Sequence, residues 1–290
     1  MGKKVIITGA SGGFGRLTAL SLLKSGHQVA ATMRNAEGSN KAVADELKNA
    51  GAVIIDMDVT NTESVNTGVR KAIDALGGLD VVVNNAGRGV SGMQEHFTPE
   101  DLHTIFDVNV VGVQRVNRAA LPFMRQQKSG LLIHISSLLG RIALPFYGPY
   151  QSAKWAVEAM AENYRVELSG FGVQSAIIEP GGYPTTFMHA LMTPSDNSRN
   201  ESYGDFMHVP GMAASAFEDQ LKNTPEQNPQ KVADAVVNLV ETPVHERPFR
   251  TIVDFMGWRD GIQHYNDQFE QLTQGIYSAF GMQNMLKVNE

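Results

Sequence analysis

The sequence predicts an α/β chain: a doubly wound parallel sheet in three αβα layers, folded as one domain over residues 1–290. Seven short apolar runs, at residues 5–7, 29–33, 53–55, 81–83, 131–135, 173–178 and 251–255, read as strands. Helix-patterned segments separate most of them, and that alternation implies parallel strands joined by crossover helices. No Pro/Gly/Ser linker, repeat or low-complexity tract interrupts the 290 residues, and α/β folds of this length are often single domains. The 42% apolar content, with thirteen Phe and thirteen Met, suffices for a large core.

The first strand runs directly into Thr8-Gly9-Ala10-Ser11-Gly12-Gly13-Phe14-Gly15, and an amphipathic helical run follows at residues 16–24. Strand, glycine turn and helix, followed by a second apolar strand, is the context in which a Rossmann-type glycine loop holds a dinucleotide. Glycines at 9, 13 and 15 let the backbone turn tightly and approach a pyrophosphate, whose charge meets unpaired amides and the positive end of the helix dipole. An ordinary glycine turn between strand and helix is the plainer alternative. In open α/β sheets ligands bind beyond the carboxyl ends of the strands, which is where this loop, Asn84-Asn85, Ser137 and Pro180-Gly181 all fall.

Further along, the run Tyr150-Gln-Ser-Ala-Lys154 opens a segment rich in helix formers. Of the seven tyrosines, Tyr150 alone has a lysine four residues later, and residues at that spacing share one helix face. A phenol with a pKa of about 10 shuttles protons poorly at neutral pH, and a nearby cation favours its phenolate. Tyrosine and lysine four apart also arise by chance on amphipathic helices, so the pair needs the other residues to carry it.

Those residues together resemble the short-chain dehydrogenase/reductase family, in the subgroup with a TGxxxGxG loop and a YxxxK site. The resemblance runs over about residues 3–185. Asn84-Asn85-Ala86-Gly87 matches the family's NNAG after the fourth strand, and Asn109 its helix asparagine. Ser137 stands thirteen residues before Tyr150, the family's spacing, and Pro180-Gly181 with Thr185 matches the stretch that meets the nicotinamide carboxamide. The resemblance implies an enzyme that moves a hydride between nicotinamide C4 and a carbon bearing a carbonyl or hydroxyl. Tyr150 would be the general acid or base, and Lys154 would stabilise the phenolate and bind the nicotinamide ribose. Ser137 would hold the carbonyl oxygen, and Asn109 a water leading to Lys154. Ser136 is the rival to Ser137, but adjacent strand residues face opposite ways and the spacing favours Ser137. The cofactor contacts implied are Thr8, Gly9, Ser11, Gly13, Phe14, Gly15, Asn85, Ala86, Gly87, Tyr150, Lys154, Pro180, Gly181 and Thr185, with Asp58-Val59 as an adenine-contacting pair. Asp58 could equally cap the helix after it.

Cofactor choice follows from the end of the second strand, Ala30-Ala31-Thr32-Met33-Arg34-Asn35. NAD enzymes of this type place an acid there for the ribose 2′-hydroxyl, whereas NADP enzymes use a base for the 2′-phosphate. Arg34 and the lack of an acid point to NADP(H) over NAD.

Residues 186–229 are rich in turn residues and read as an irregular lid over the substrate. Phe187, Met188, Leu191, Met192, Phe206, Met207, Met212 and Phe217 there, with Leu138, Leu139, Leu144 and Phe146, could line an apolar pocket or pack the lid onto the core. Pro122, inside a helical pattern at residues 101–125, is expected to kink it, and Trp155 is expected in the core. The tail, residues 257–290, carries Trp258, Ile262, Tyr265, Phe269, Leu272, Ile276, Tyr277 and Phe280 at near-helical spacing, an amphipathic helix for the pocket or for another subunit.

The formal net charge of -6 and the absence of basic runs argue against nucleic acid, and no run approaches membrane-spanning length. With no cysteine there is neither disulfide nor thiolate metal site, and the eight histidines lack metal-ligand spacing, so no metal is expected. These features agree with a cytoplasmic protein, and the family resemblance implies a homodimer or homotetramer. The function expected is an NADP(H)-dependent ketone reductase or alcohol dehydrogenase acting on a small lipophilic carbonyl or alcohol. A non-catalytic dinucleotide-sensing protein is the alternative, although it would have no need of the serine, tyrosine and lysine. A sugar-nucleotide epimerase would use a TGxxGxxG loop, which the spacing of Gly9, Gly13 and Gly15 does not fit.

Overall fold

The computed structural model describes residues 2–288. Seven parallel strands form one sheet in the order β3-β2-β1-β4-β5-β6-β7. They are β1 Lys4–Ile7, β2 Gln28–Met33, β3 Val53–Asp56, β4 Val81–Asn84, β5 Gly130–Ile135, β6 Val173–Pro180 and β7 Arg250–Val253. Val5 pairs with Val29 on one side and Val81 on the other, so the winding direction reverses beside β1 and opens a crevice beyond its carboxyl end.

Because successive strand residues face opposite sides, each strand feeds two cores. Val5, Ile7, Val29, Val83 and Ile133 pack under α1 (Gly13–Lys24), α2 (Lys41–Asn49) and α9 (Gln230–Glu241). Ile6, Val82 and Leu132 pack under α3 (Thr62–Leu76) and α5 (Gly112–Gln126), while α6 (Gly148–Glu167) lies against β6. Burying each such side chain contributes about 1.5–3 kcal/mol, which is why strands covered on both faces read as unbroken apolar runs.

Three regions depart from the sequence expectation. The pattern at 101–125 is not one helix with a proline kink. α4 (Pro99–Phe106), capped by Thr98 with Asp101, passes through a π-helical segment, Asp107–Val111, into α5, which continues through Pro122. The irregularity falls at Asn109, where the widened turn swings that side chain inward. The lid is only half irregular. Its first part is strapped to the loop after β4 by backbone bonds between Met192 and both Gly89 and Ser91, and α7 (Asn200–Tyr203) follows. The second part is the helix α8 (Val209–Lys222), whose Pro210 sits in the first turn, where its missing N–H costs no hydrogen bond.

The tail forms α10 (Arg259–Ala279) as expected, but its apolar residues are not all inside. Ile262, Asn266 and Thr273 face the body of the protein, while Leu272, Ile276 and Phe280 are exposed. Residues 289 and 290 of the tail lie outside the described residues. Trp155 is also exposed, at 44%, because it stands one residue around α6 from the inward-facing Lys154. Among the described residues no helix is long and apolar enough to cross a membrane, and no cluster of side chains could hold a metal.

Leu132, at the centre of the second core, is fully buried. Leu132→Ala should destabilise the chain by about 2–5 kcal/mol in urea unfolding with the m-value unchanged.

Candidate active site

A cleft of about 1080 Å³ opens beyond the carboxyl ends of β1, β4, β5 and β6. At one end lies the glycine loop. Gly9 and Gly13 have φ of +68° and +49°, a conformation other residues adopt only with strain. A Cβ on Gly15 would strike the Gly9 carbonyl and the Asn85 side chain, so that glycine serves close packing of helix on strand. Behind the loop, the Thr8 hydroxyl accepts the amide protons of Asn85 and Ala86, each at 3.0 Å, and Asn85 Nδ2 donates to the carbonyls of Thr8 (2.9 Å) and Gly9 (3.1 Å). Thr8 and Gly15 therefore support the cradle from behind and do not line the cleft, whereas Gly9, Ser11, Gly13, Phe14, Asn85, Ala86 and Gly87 do. α1 begins at this loop with no acidic residue in its first turn, so its positive end is free to meet an anion. These residues fit a dinucleotide's pyrophosphate.

Beside the loop, Arg34, Asp58 and Val59 line the same wall. Arg34 is two-thirds exposed and 3.9 Å from Asp58. Asp58 does not cap α3; Asn61 does, accepting from Ser64 N–H. Burial acts to raise the Asp58 carboxyl, but the Thr60 amide and hydroxyl that it accepts from, together with Arg34 and Arg115, hold it below its ordinary value.

At the other end, α6 projects Tyr150 and Lys154 toward Ser137, just after β5. Lys154 is almost wholly buried, donates to the Ile135 carbonyl at 2.7 Å and lies 5.5 Å from the centre of the Tyr150 ring. Burial drags the ammonium down to about 8 against the pull of Glu158. Burial opposes the expected lowering of the phenol. Burial pushes Tyr150 up to about 12, with Ser137 drawing it partly back. Withdrawal of the phenol from water outweighs the hydrogen bond with Ser137.

Ser136 and Ser137 both line the cleft. Ser136 Oγ turns back toward Gly140 and Glu158, while Ser137 Oγ hydrogen-bonds with Tyr150 and accepts from Leu139 N–H at 3.1 Å. Asn109 does not line the cleft. Its side chain donates to Arg88 O and accepts from Arg88 N–H, both at 2.8 Å, fixing the loop after Gly87. Pro180 ends β6, Gly181 has no room for a Cβ beside Asp254, and Thr185 faces Gly13 across the cleft.

The apolar half of the cleft includes the expected Leu138, Leu139, Leu144, Phe187, Met188, Leu191 and Phe217. Met192, Phe206, Met207, Met212 and Phe146 lie off it, Phe146 packing on Phe206. Sequence reasoning missed Tyr147 and Met256 on this wall and Tyr183 at its root, whereas Trp258, expected in a helix for the pocket or another subunit, does line it. Tyr183 packs edge-on against Phe14, centroids 5.4 Å apart, and its hydroxyl donates to Val253 O at 3.0 Å. Its place just after Gly181-Gly182 was the available signal.

A family model described as short chain dehydrogenase matches residues 3–196. The chain belongs to the short-chain dehydrogenase family. It is 33% identical over 251 residues to 3-ketodihydrosphingosine reductase of Bacteroides thetaiotaomicron, covering 86% of this chain and 87% of that protein. Over 188 residues it is 39% identical to retinol dehydrogenase 7 of Mus musculus, 63% of this chain and 57% of that one. A short-chain dehydrogenase structure from Streptomyces avermitilis superposes with a TM-score of 0.74 at 28% identity, covering 95% of this chain and 99% of that one. The chain is thus an oxidoreductase of this family, whose members act on small molecules.

Gly15→Ala should force the loop apart and weaken binding of the reduced nicotinamide dinucleotide about tenfold in a fluorescence titration, the scale of a mild overpacking penalty. An unchanged Kd would contradict the close packing described.

Proposed function

We propose that the protein is an NADP(H)-dependent carbonyl reductase or alcohol dehydrogenase acting on a small lipophilic ketone or its alcohol. The observation that carries this reading is the meeting of Ser137, Tyr150 and Lys154 where a glycine-cradled wall joins an apolar one. When bound, the nicotinamide would supply or accept the hydride. Ser137 holds the substrate oxygen beside the Tyr150 hydroxyl. In reduction Tyr150 donates its proton to that oxygen as negative charge develops, and in oxidation its phenolate takes the proton back. Lys154, held by the Ile135 carbonyl, offers its charge to the phenolate that forms. Asn109 acts by fixing Arg88 and so the rim of the cleft.

Preference for NADP(H) is supported by Arg34, which is exposed beside the cleft, loosely paired, and free to turn toward a 2′-phosphate. The substrate class is supported by the apolar wall from Leu138 and Leu144 to Phe217 and Trp258, and the names of the two relatives agree with it.

Tyr150→Phe should lower turnover about 100-fold or more while leaving NADPH affinity nearly unchanged, measured by steady-state rates and binding in parallel. Near-normal turnover would sink the assignment. Arg34→Ala should weaken NADPH binding about tenfold, the worth of one charge-assisted hydrogen bond, and spare NADH. Equal losses for both cofactors would remove Arg34 from that role. Reduction needs Tyr150 protonated and Lys154 charged, so its rate should fall as pH rises through the value of about 8 to which burial brings Lys154, well below that of the phenol.

A further inference from the structure

Behind Lys154, the next turn of α6 carries Glu158, which is 2% exposed. A carboxylate so deep is costly unless it is paired. Its Oε2 lies 3.0 Å from Arg141 and 3.3 Å from Arg250. Arg141, in the segment after β5, also reaches Glu179 on β6 at 3.1 Å, and Arg250, at the start of β7, reaches the same oxygen at 3.3 Å. Glu162, one turn further along α6, pairs with Arg250. α10 closes the group. Asn266 donates to the second Glu179 oxygen at 2.7 Å, and the Phe269 ring lies 5.3 Å from the Arg141 guanidinium and 5.8 Å from that of Arg250.

The charges do not cancel within this group. Three carboxylates (Glu158, Glu162, Glu179) face two guanidiniums (Arg141, Arg250), leaving one negative charge in excess. Lys154 is the buried cation one turn away that brings the sum to zero. On its β5 side His134 adds no charge, because burial and Lys154 itself hold the imidazole neutral, down to about 3. On the cleft side stands the phenol of Tyr150.

We propose that this α6–β6–β7–α10 charge cluster is the counter-charge of Lys154, with Glu158 as the positioning residue that keeps the ammonium protonated and α10 as its cover against water. The inference rests on the reading of Lys154 as the partner of Tyr150. Burial lowers Lys154 and Glu158 opposes it, so the sign is set. Glu158 is itself raised, by burial first and then by Glu179, against both arginines. Its support therefore operates between loss of its own charge on the acid side and loss of the Lys154 proton on the alkaline side.

The test follows the lysine directly. In the full chain labelled with ¹³C at lysine Cε, Lys154 is assigned from the signal lost in Lys154→Arg and titrated by NMR. Glu158→Gln, which keeps the shape, should lower its midpoint by about one pH unit, Glu158→Asp should restore most of it, and the alkaline limb of carbonyl reduction should move with it. Arg250→Gln, which removes a cation from the same cluster, should shift the midpoint the opposite way and serves if Glu158→Gln does not fold. An unmoved midpoint in the variants, or a rate lowered at all pH with the limb in place, overturns the inference. Absence of carbonyl reduction in the unmodified chain would instead overturn the functional reading, while the NMR titration would still decide the role of the cluster.

Discussion

In the function proposed, the Tyr150 end of the cleft depends on keeping one ammonium charged in a place from which water is nearly absent. Lys154 is held there by a short bond to the Ile135 carbonyl, so the end of β5 fixes the cation and, two residues on, the Ser137 hydroxyl. The same α6 face carries Tyr150, Lys154, Glu158 and Glu162 at four-residue intervals, running from the reacting end to the charge cluster. A helix face thereby ties the chemistry to three distant strands and the tail. This links α10 to the site without placing it in the cleft, apart from the Trp258 that precedes it.

The cradle at the opposite end is a matter of space more than of charge. Asn85 bonds to the carbonyls of Thr8 and Gly9 and abuts Gly15, holding the Gly9 backbone toward the cleft. Phe14 and Tyr183, in an edge-on aromatic contact, and Thr185 and Thr186, beside Gly12 and Gly13, join that loop to the root of the lid.

Much of this was legible in the sequence, and the reasons differ by element. The strands were readable because parallel strands covered on both faces must be apolar along their length, and the loop because only glycines permit its turn and its approach to Asn85. Tyr150, Lys154 and Ser137 were readable by spacing. The π segment at Asn109 was not, since a helix widened by one residue keeps nearly the same apolar period. α8 was hidden because Pro210-Gly211 reads as a turn although both fit its first turn. The charge cluster was invisible because Arg141, Glu158, Glu179 and Arg250 come together only in the folded chain.

The most direct test is NADPH consumption, with NADH in parallel, across a panel of ketones, quinones, aldehydes and steroids, repeated with Tyr150→Phe. Turnover of a lipophilic carbonyl class, preferring NADPH and lost with the Tyr150 hydroxyl, is the predicted result. Tight NADPH binding with no turnover of any member, or turnover indifferent to Tyr150, would contradict the account.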